Sequence, residues 1–262
     1  MIYGTAWKQE RTKELVIQAL QSGFRGIDTA CQPKHYREDL VGDGIVASGL
    51  NRDELFIQSK FTPLSGQDPQ RIPYDPNLSL GEQVAHSFQV SQHNLHVKVI
   101  DSYLLHSTQM PMTPLMQIWR AMEKIVKEGG AKQIGVSNCY DINVLKRLYD
   151  DAEIKPSVLQ NRFYEQSGYD VEIRAFCKDN AITYESFWSL TANPHIVKSA
   201  TLCSFAQYYN KTNEQVFYRF LTQNAIVPLN GTTSQQHMQD DLDIFDFELT
   251  PEQVQTISEL LG

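Results

Sequence analysis

The chain has 262 residues, 41% of them hydrophobic and 21% charged, with a formal net charge of -8. A chain of that length buries a large core without disulfides or metals, and its scattered acidic balance argues against nucleic-acid and anionic-membrane partners. No apolar run approaches the about 20 residues of a membrane span, no signal-peptide pattern follows Met1, and Cys31, Cys139, Cys177 and Cys203 form no CxxC pair, so the sequence reads as cytoplasmic with reduced thiols.

Hydrophobic periodicity predicts a strand over 1–5, a helix over 10–21, a strand over 24–27 and a helix over 36–48. A strand over 55–60 leads into residues 62–78, whose Pro63, Pro69, Pro73 and Pro76 predict a long loop able to wall a binding site. Helix 79–93, strand 99–105 and helix 112–128 follow; in the last, Leu115, Ile118, Met122, Ile125 and Val126 recur at helical spacing and Gly129-Gly130 supplies the stop. Next come strand 133–136, helix 140–150, strand 157–160, helix 169–179, strand 182–186, helix 203–223 and strand 225–228, then a short helix and a last one from Pro251. Eight βα repeats with no break in composition predict a single domain, 1–262, folded as a parallel (β/α)8 TIM barrel. An open doubly wound sheet is the alternative, weakened by the absence of a G-x-G-x-x-G or Walker loop.

Asp28, Lys60 and His106 each close a predicted strand, and Tyr36 lies in the loop after the second. A barrel gathers such positions at one mouth. Reducing a carbonyl places negative charge on oxygen, which a positioned acid must meet. Tyr36 is the candidate acid; an ammonium at Lys60 would lower its pKa from about 10, Asp28 would orient that ammonium, and a neutral His106 would donate to the carbonyl oxygen.

Read together, Gly4-Thr5-Ala6, Gly23-Phe24-Arg25-Gly26-Ile27-Asp28-Thr29-Ala30, Tyr36-Arg37-Glu38 with Val41-Gly42, Ser59-Lys60, Asp101-Ser102-Tyr103-Leu104-Leu105-His106 and Ile134-Gly135-Val136-Ser137-Asn138 resemble the aldo-keto reductases over nearly the whole chain. The resemblance implies a barrel that reduces aldehydes or ketones with a nicotinamide cofactor, and a catalytic tetrad of Asp28, Tyr36, Lys60 and His106. It also implies that Ser137, Asn138 and Gln160 hold the nicotinamide carboxamide, and that Phe187, with Trp188 as alternative, stacks on the ring. Ser189 and Leu190 would wrap the pyrophosphate, Gly231, Thr232, Thr233, His237 and Asp241 would meet the adenosine end, and Thr5 and Asp28 complete the cofactor set. Trp7, Gln32, His35, Phe163 and Trp188 are the implied substrate contacts.

The sequence departs from the family's pattern at four places. Gln32 to His35 lengthen the gap between Asp28 and Tyr36. Gly231 and His237 stand where the family grips the 2'-phosphate of NADP with cations, which weakens the choice of NADP over NAD while leaving NADP the expected cofactor. The chain starts at the first strand and ends after the helix at Pro251, so the hairpin and long closing loop of the family are expected to be missing and the pocket open. The competing reading is a silent nicotinamide-nucleotide-binding barrel acting as a sensor. A metal-dependent hydrolase would need clustered ligands, and none is expected, since His93 and His96 find no third partner. A monomer acting on a small carbonyl compound is the default.

Overall fold

A computed structural model describes residues 1–262. Eight parallel strands pair in chain order and close on themselves: β1 (Ile2–Gly4), β2 (Gly26–Asp28), β3 (Phe56–Phe61), β4 (Ile100–Leu105), β5 (Ala131–Ser137), β6 (Val158–Arg162), β7 (Thr183–Phe187) and β8 (Ile226–Asn230). Closure is made where β1 meets β8, Ile2 opposite Leu229 and Tyr3 opposite Asn230. This is the (β/α)8 barrel that the alternation of periods predicts.

The helices between strands are α1 (Thr12–Ser22), α2 (Glu38–Ser48), α3 (Leu80–Leu95), α4 (Met112–Lys127), α5 (Ile142–Asp151) and α6 (Val171–Asp179), followed by α7 (Pro194–Val197), α8 (Ala200–Tyr209), α9 (Asn213–Gln223), α10 (Gln235–Leu242) and α11 (Pro251–Ser258). None is long and apolar enough to cross a membrane. In α4, Leu115, Ile118, Trp119, Met122 and Ile125 are buried on the barrel-facing side, as the 3.6-residue period requires. At Gly42 in α2 a Cβ would lie 2.0 Å from the carbonyl oxygen of Asn94, so α2 and the end of α3 approach as closely as they do only because no side chain is there.

One sequence expectation needs correction, while the loop expected over 62–78 is present. The single helix over 203–223 is two helices, because Asn210 takes a left-handed conformation (φ 53°) and Thr212 with Gln215 forms a capping box that starts α9. The proline-rich segment 62–78 folds back on itself: Gln67 donates to the carbonyls of Cys31 and Thr62, and the buried Tyr74 hydroxyl donates to Thr62 as well.

The barrel interior beneath the C-terminal rim is polar. Asp28, Gln58, Lys60, Gln160 and Glu185 point inward from β2, β3, β6 and β7 and are bonded to one another, where apolar branched residues commonly fill such barrels.

Candidate active site

Asp28 Oδ1 accepts three hydrogen bonds: from Lys60 Nζ at 2.6 Å, and from the side-chain amides of Gln58 and Gln160, both at 3.0 Å. The Lys60 ammonium also donates to the Thr29 carbonyl at 2.9 Å and is fully buried. A buried charge pair persists when further hydrogen bonds support it, and here two amides on Asp28 Oδ1 and the Thr29 carbonyl on Lys60 do so. The Gln32–His35 insertion forms a turn in which the Gln32 carbonyl accepts from the backbone of both His35 and Tyr36, and this turn delivers the Tyr36 ring over the pair, its centroid 5.6 Å from Lys60 Nζ.

The His106 ring stands edge-on to Tyr36, centroids 5.9 Å apart, with Nδ1 2.7 Å from the Thr62 hydroxyl. Burial, with the nearby charge of Lys60, lowers its pKa to about 3, so the imidazole is neutral at working pH. The Tyr36 phenol is pushed well above its ordinary value, first by burial and then by the Asp28 carboxylate. This reverses the sequence expectation of a lowered phenol: the Lys60 ammonium is bonded to Asp28 and does not act on Tyr36 as a free cation.

Under this group, Glu185 Oε2 accepts from Gln58 at 2.6 Å and from Gln160 at 2.9 Å. Burial raises its pKa to about 7, partly offset by the amide donors and reinforced by Asp28. Sequence reading passed over Glu185, Gln58 and Thr62. The alternation of β3 and β7 was the available signal, since Gln58 shares a face with Lys60.

A cavity of about 720 Å³ opens from Asp28, Tyr36 and His106 and runs to Gly231, Thr232, His237 and Asp241 beyond β8. Ser137, Asn138, Gln160, Phe187, Trp188, Ser189, Leu190 and Trp7 also line it. Asn138 donates to the His106 carbonyl at 2.9 Å, and Ser137 donates to the Gln160 carbonyl at 2.9 Å. The cavity also takes in Lys8, Arg162, Glu214 and Tyr218, none of which the sequence reading singled out.

Five expected contacts do not reach it. Phe163 is fully buried against Tyr169 and Phe217, because it lies on the opposite face of its segment from Arg162. Gln32 turns away to donate to the Gly66 carbonyl at 2.8 Å. Thr5 is buried with its hydroxyl on the Asp28 carbonyl. His35 stacks on Trp7, ring centroids 3.7 Å apart, and supports that exposed ring from outside the cavity. Thr233 is not among the cavity's residues, and neither is any residue of the 62–78 loop.

The donor set fits a nicotinamide dinucleotide. Gln160 spends its amide nitrogen on Asp28 and Glu185, leaving its oxygen as an acceptor on the cavity wall, suited to a carboxamide. At the other end Gly231 presents bare backbone, with Lys8 Nζ donating to its carbonyl. Glu214, Asp240 and Asp241 line the same cavity; Asp241 is buried against the Asn230 amide, and burial raises its pKa to about 7.

A closed parallel barrel with a long cleft over its C-terminal rim, and Asp28, Tyr36 and His106 in the cleft's lining, is the architecture of a barrel enzyme. The family model described as the aldo/keto reductase family matches residues 1–261, and the chain belongs to that family. It is 34% identical over 247 residues to the glyoxal reductase of Bacillus subtilis, covering 94% of this chain and 82% of that one. An aldo/keto reductase from Brucella melitensis superposes with a TM-score of 0.84 at 27% identity, covering 99% and 93% of the two chains. An aldo-keto reductase of Bombyx mori in complex with NADP superposes at 0.82 with 25% identity, covering 99% and 88%. The chain is accordingly an NAD(P)H-dependent oxidoreductase that reduces an aldehyde or ketone to an alcohol.

Proposed function

We propose that Tyr36 donates the proton in this reduction, with Lys60 and Asp28 as the charge pair beneath it and His106 as the group that orients the carbonyl. The observation that carries the reading is the buried Lys60–Asp28 pair at 2.6 Å with the Tyr36 ring directly over its ammonium. Bound NAD(P)H supplies a hydride to the carbonyl carbon. In the proposed tautomer the Thr62 hydroxyl, 2.7 Å from His106 Nδ1, is the donor, and the neutral ring carries its proton on Nε2, where it is offered to the substrate oxygen. As charge develops on that oxygen, the phenol hydrogen of Tyr36 passes to it. A raised phenol pKa does not impede this step, because an alkoxide is the stronger base.

Ser137, Asn138, Gln160 and Phe187 are the proposed nicotinamide contacts, Trp7 and Trp188 the proposed substrate walls, and Lys8, Thr232 and His237 the proposed contacts to the phosphates. NADPH is the proposed cofactor, supported by the NADP complex of the Bombyx mori relative. Its margin over NADH is narrowed because Gly231 and His237 stand in the cavity lining where fixed cations would grip a 2'-phosphate. The chain is proposed to work as a cytoplasmic monomer on a small carbonyl compound.

The test is Tyr36→Phe, followed by cofactor absorbance with aromatic aldehydes, ketones and quinones. The phenyl variant is expected to lose turnover while keeping dinucleotide affinity. Equal turnover in both proteins removes Tyr36 from the role, and a wild type that binds dinucleotide but reduces no carbonyl points to a sensor.

A further inference from the structure

Arg162 ends β6 on the same face as Gln160, and two residues along a strand carry it about 7 Å further toward the rim. Gln160 is bonded to Asp28, so Arg162 stands above the reacting groups, and it lines the same cavity. Its guanidinium carbon lies 4.0 Å from the Trp188 ring centroid, 5.2 Å from that of Tyr164 and 6.0 Å from that of Phe187. The plane is thus held by aromatic faces, which attract a cation but accept none of its directed hydrogen bonds. No carboxylate or carbonyl of the protein accepts from its nitrogens, and Nε is buried without a partner. Nε is closed off, whereas the two terminal nitrogens are not and donate to nothing in the protein, so they are the donors open to an acceptor in the cavity.

Trp188 points the same way. It takes a left-handed backbone conformation (φ 58°) that a bulky residue adopts only under constraint, and its ring is still 51% exposed. The strain therefore serves no core packing; it sets the ring against Arg162. Asp28, the carboxylate at this end of the cavity, is already paired with Lys60.

We propose that Arg162, held flat by Trp188, is an anion-binding residue on the substrate side of the cavity, so that the preferred substrate is a carbonyl compound carrying a carboxylate. The inference rests on the carbonyl-reducing reading above and names its substrate class. A guanidinium fork matches the two oxygens of a carboxylate, and the cavity shields that pairing from water. The pyrophosphate of the dinucleotide offers the same chemistry, and the test separates the two.

Wild type, Arg162→Met and Arg162→Lys are compared on 4-formylbenzoate and its neutral counterpart 4-formylbenzamide, and the dissociation constants of NADPH and NADH are measured for each protein without substrate. The ratio of kcat/KM for the acid over the amide should fall about 10- to 100-fold in Arg162→Met, the loss of a charge-assisted bidentate contact. Arg162→Lys, which keeps the charge and loses the fork, should fall between the two and guards against a folding defect. Equal losses on both aldehydes overturn the proposal. So does a rise in both dinucleotide dissociation constants by that same factor, which assigns the anion to the cofactor. Tryptophan fluorescence titrated with 4-formylbenzoate reads binding without turnover: saturable quenching that Arg162→Met abolishes upholds the anion site even if no carbonyl is reduced, and absence of binding to the wild type overturns it.

Discussion

Glu185 is a carboxyl whose ionisation the barrel opposes, and replacing it by glutamine should stabilise the protein in a pH-dependent way. The side chain is 2% exposed, and burial raises its pKa from 4.5 to about 7. At pH below 4.5 the group is protonated whether the chain is folded or not, and its burial carries no ionisation penalty. As pH rises from 4.5 toward 7, the unfolded chain releases a proton that the fold retains, so the fold loses stability, and above 7 the full deficit is present. At about 1.4 kcal/mol per pH unit, that deficit grows by about 2.5 kcal/mol between pH 5 and pH 8. Urea unfolding of wild type and Glu185→Gln at those two pH values measures it. A glutamine must also reorganise its contacts with the Gln58 and Gln160 amides, but that offset is independent of pH and cancels in the comparison. A stability difference that stays constant over this range, or that grows toward acid, refutes the reasoning.

Lys60→Met should destabilise the fold by about 3–5 kcal/mol, because it leaves Asp28 charged and buried without its cation; thermal unfolding reads the loss, and adding Asp28→Asn should restore part of it. Gly231→Lys with His237→Arg should tighten NADPH about tenfold or more relative to NADH, by supplying charge-assisted bonds to a phosphate. A Cβ on residue 231 would stand 3.5 Å from Lys8 Nζ, an ordinary contact, so the position has room for the substitution. Fluorescence titration of both dinucleotides checks it, and an unchanged ratio removes this loop from the adenosine end.

Much of the site was legible because it depends on strand ends. Asp28, Lys60 and His106 close apolar runs, and a closed parallel barrel turns three distant chain positions into one rim. Lateral register was less legible. Gln160 lies opposite Glu185, and Asp28 opposite Gln58, so the amide bridge between two carboxylates follows from pairings that spacing along the chain does not contain. Strand parity was a missed signal: once Gln160 faces the cavity, Arg162 must share that face and Phe163 must not. The break between α8 and α9 was also readable, since Asn210 and the Thr212–Gln215 pair are a stop and a start in succession.

Burial is the first cause of the raised phenol of Tyr36, and the interior network adds to it through Asp28. Lys60 is the cation in a cluster that holds two carboxyl groups, Asp28 bonded to it directly and Glu185 joined to Asp28 through the amides of Gln58 and Gln160. With Glu185 protonated the cluster is electrically neutral as a whole, and the phenol meets the desolvation of its pocket first and the Asp28 carboxylate second. With Glu185 ionised the cluster carries a net negative charge, and a phenolate becomes less favourable still. In both states Tyr36 keeps its hydrogen at working pH. That suits a group which gives a proton to a nascent alkoxide, and it disfavours the phenolate that the reverse reaction, removing a proton from an alcohol, would require.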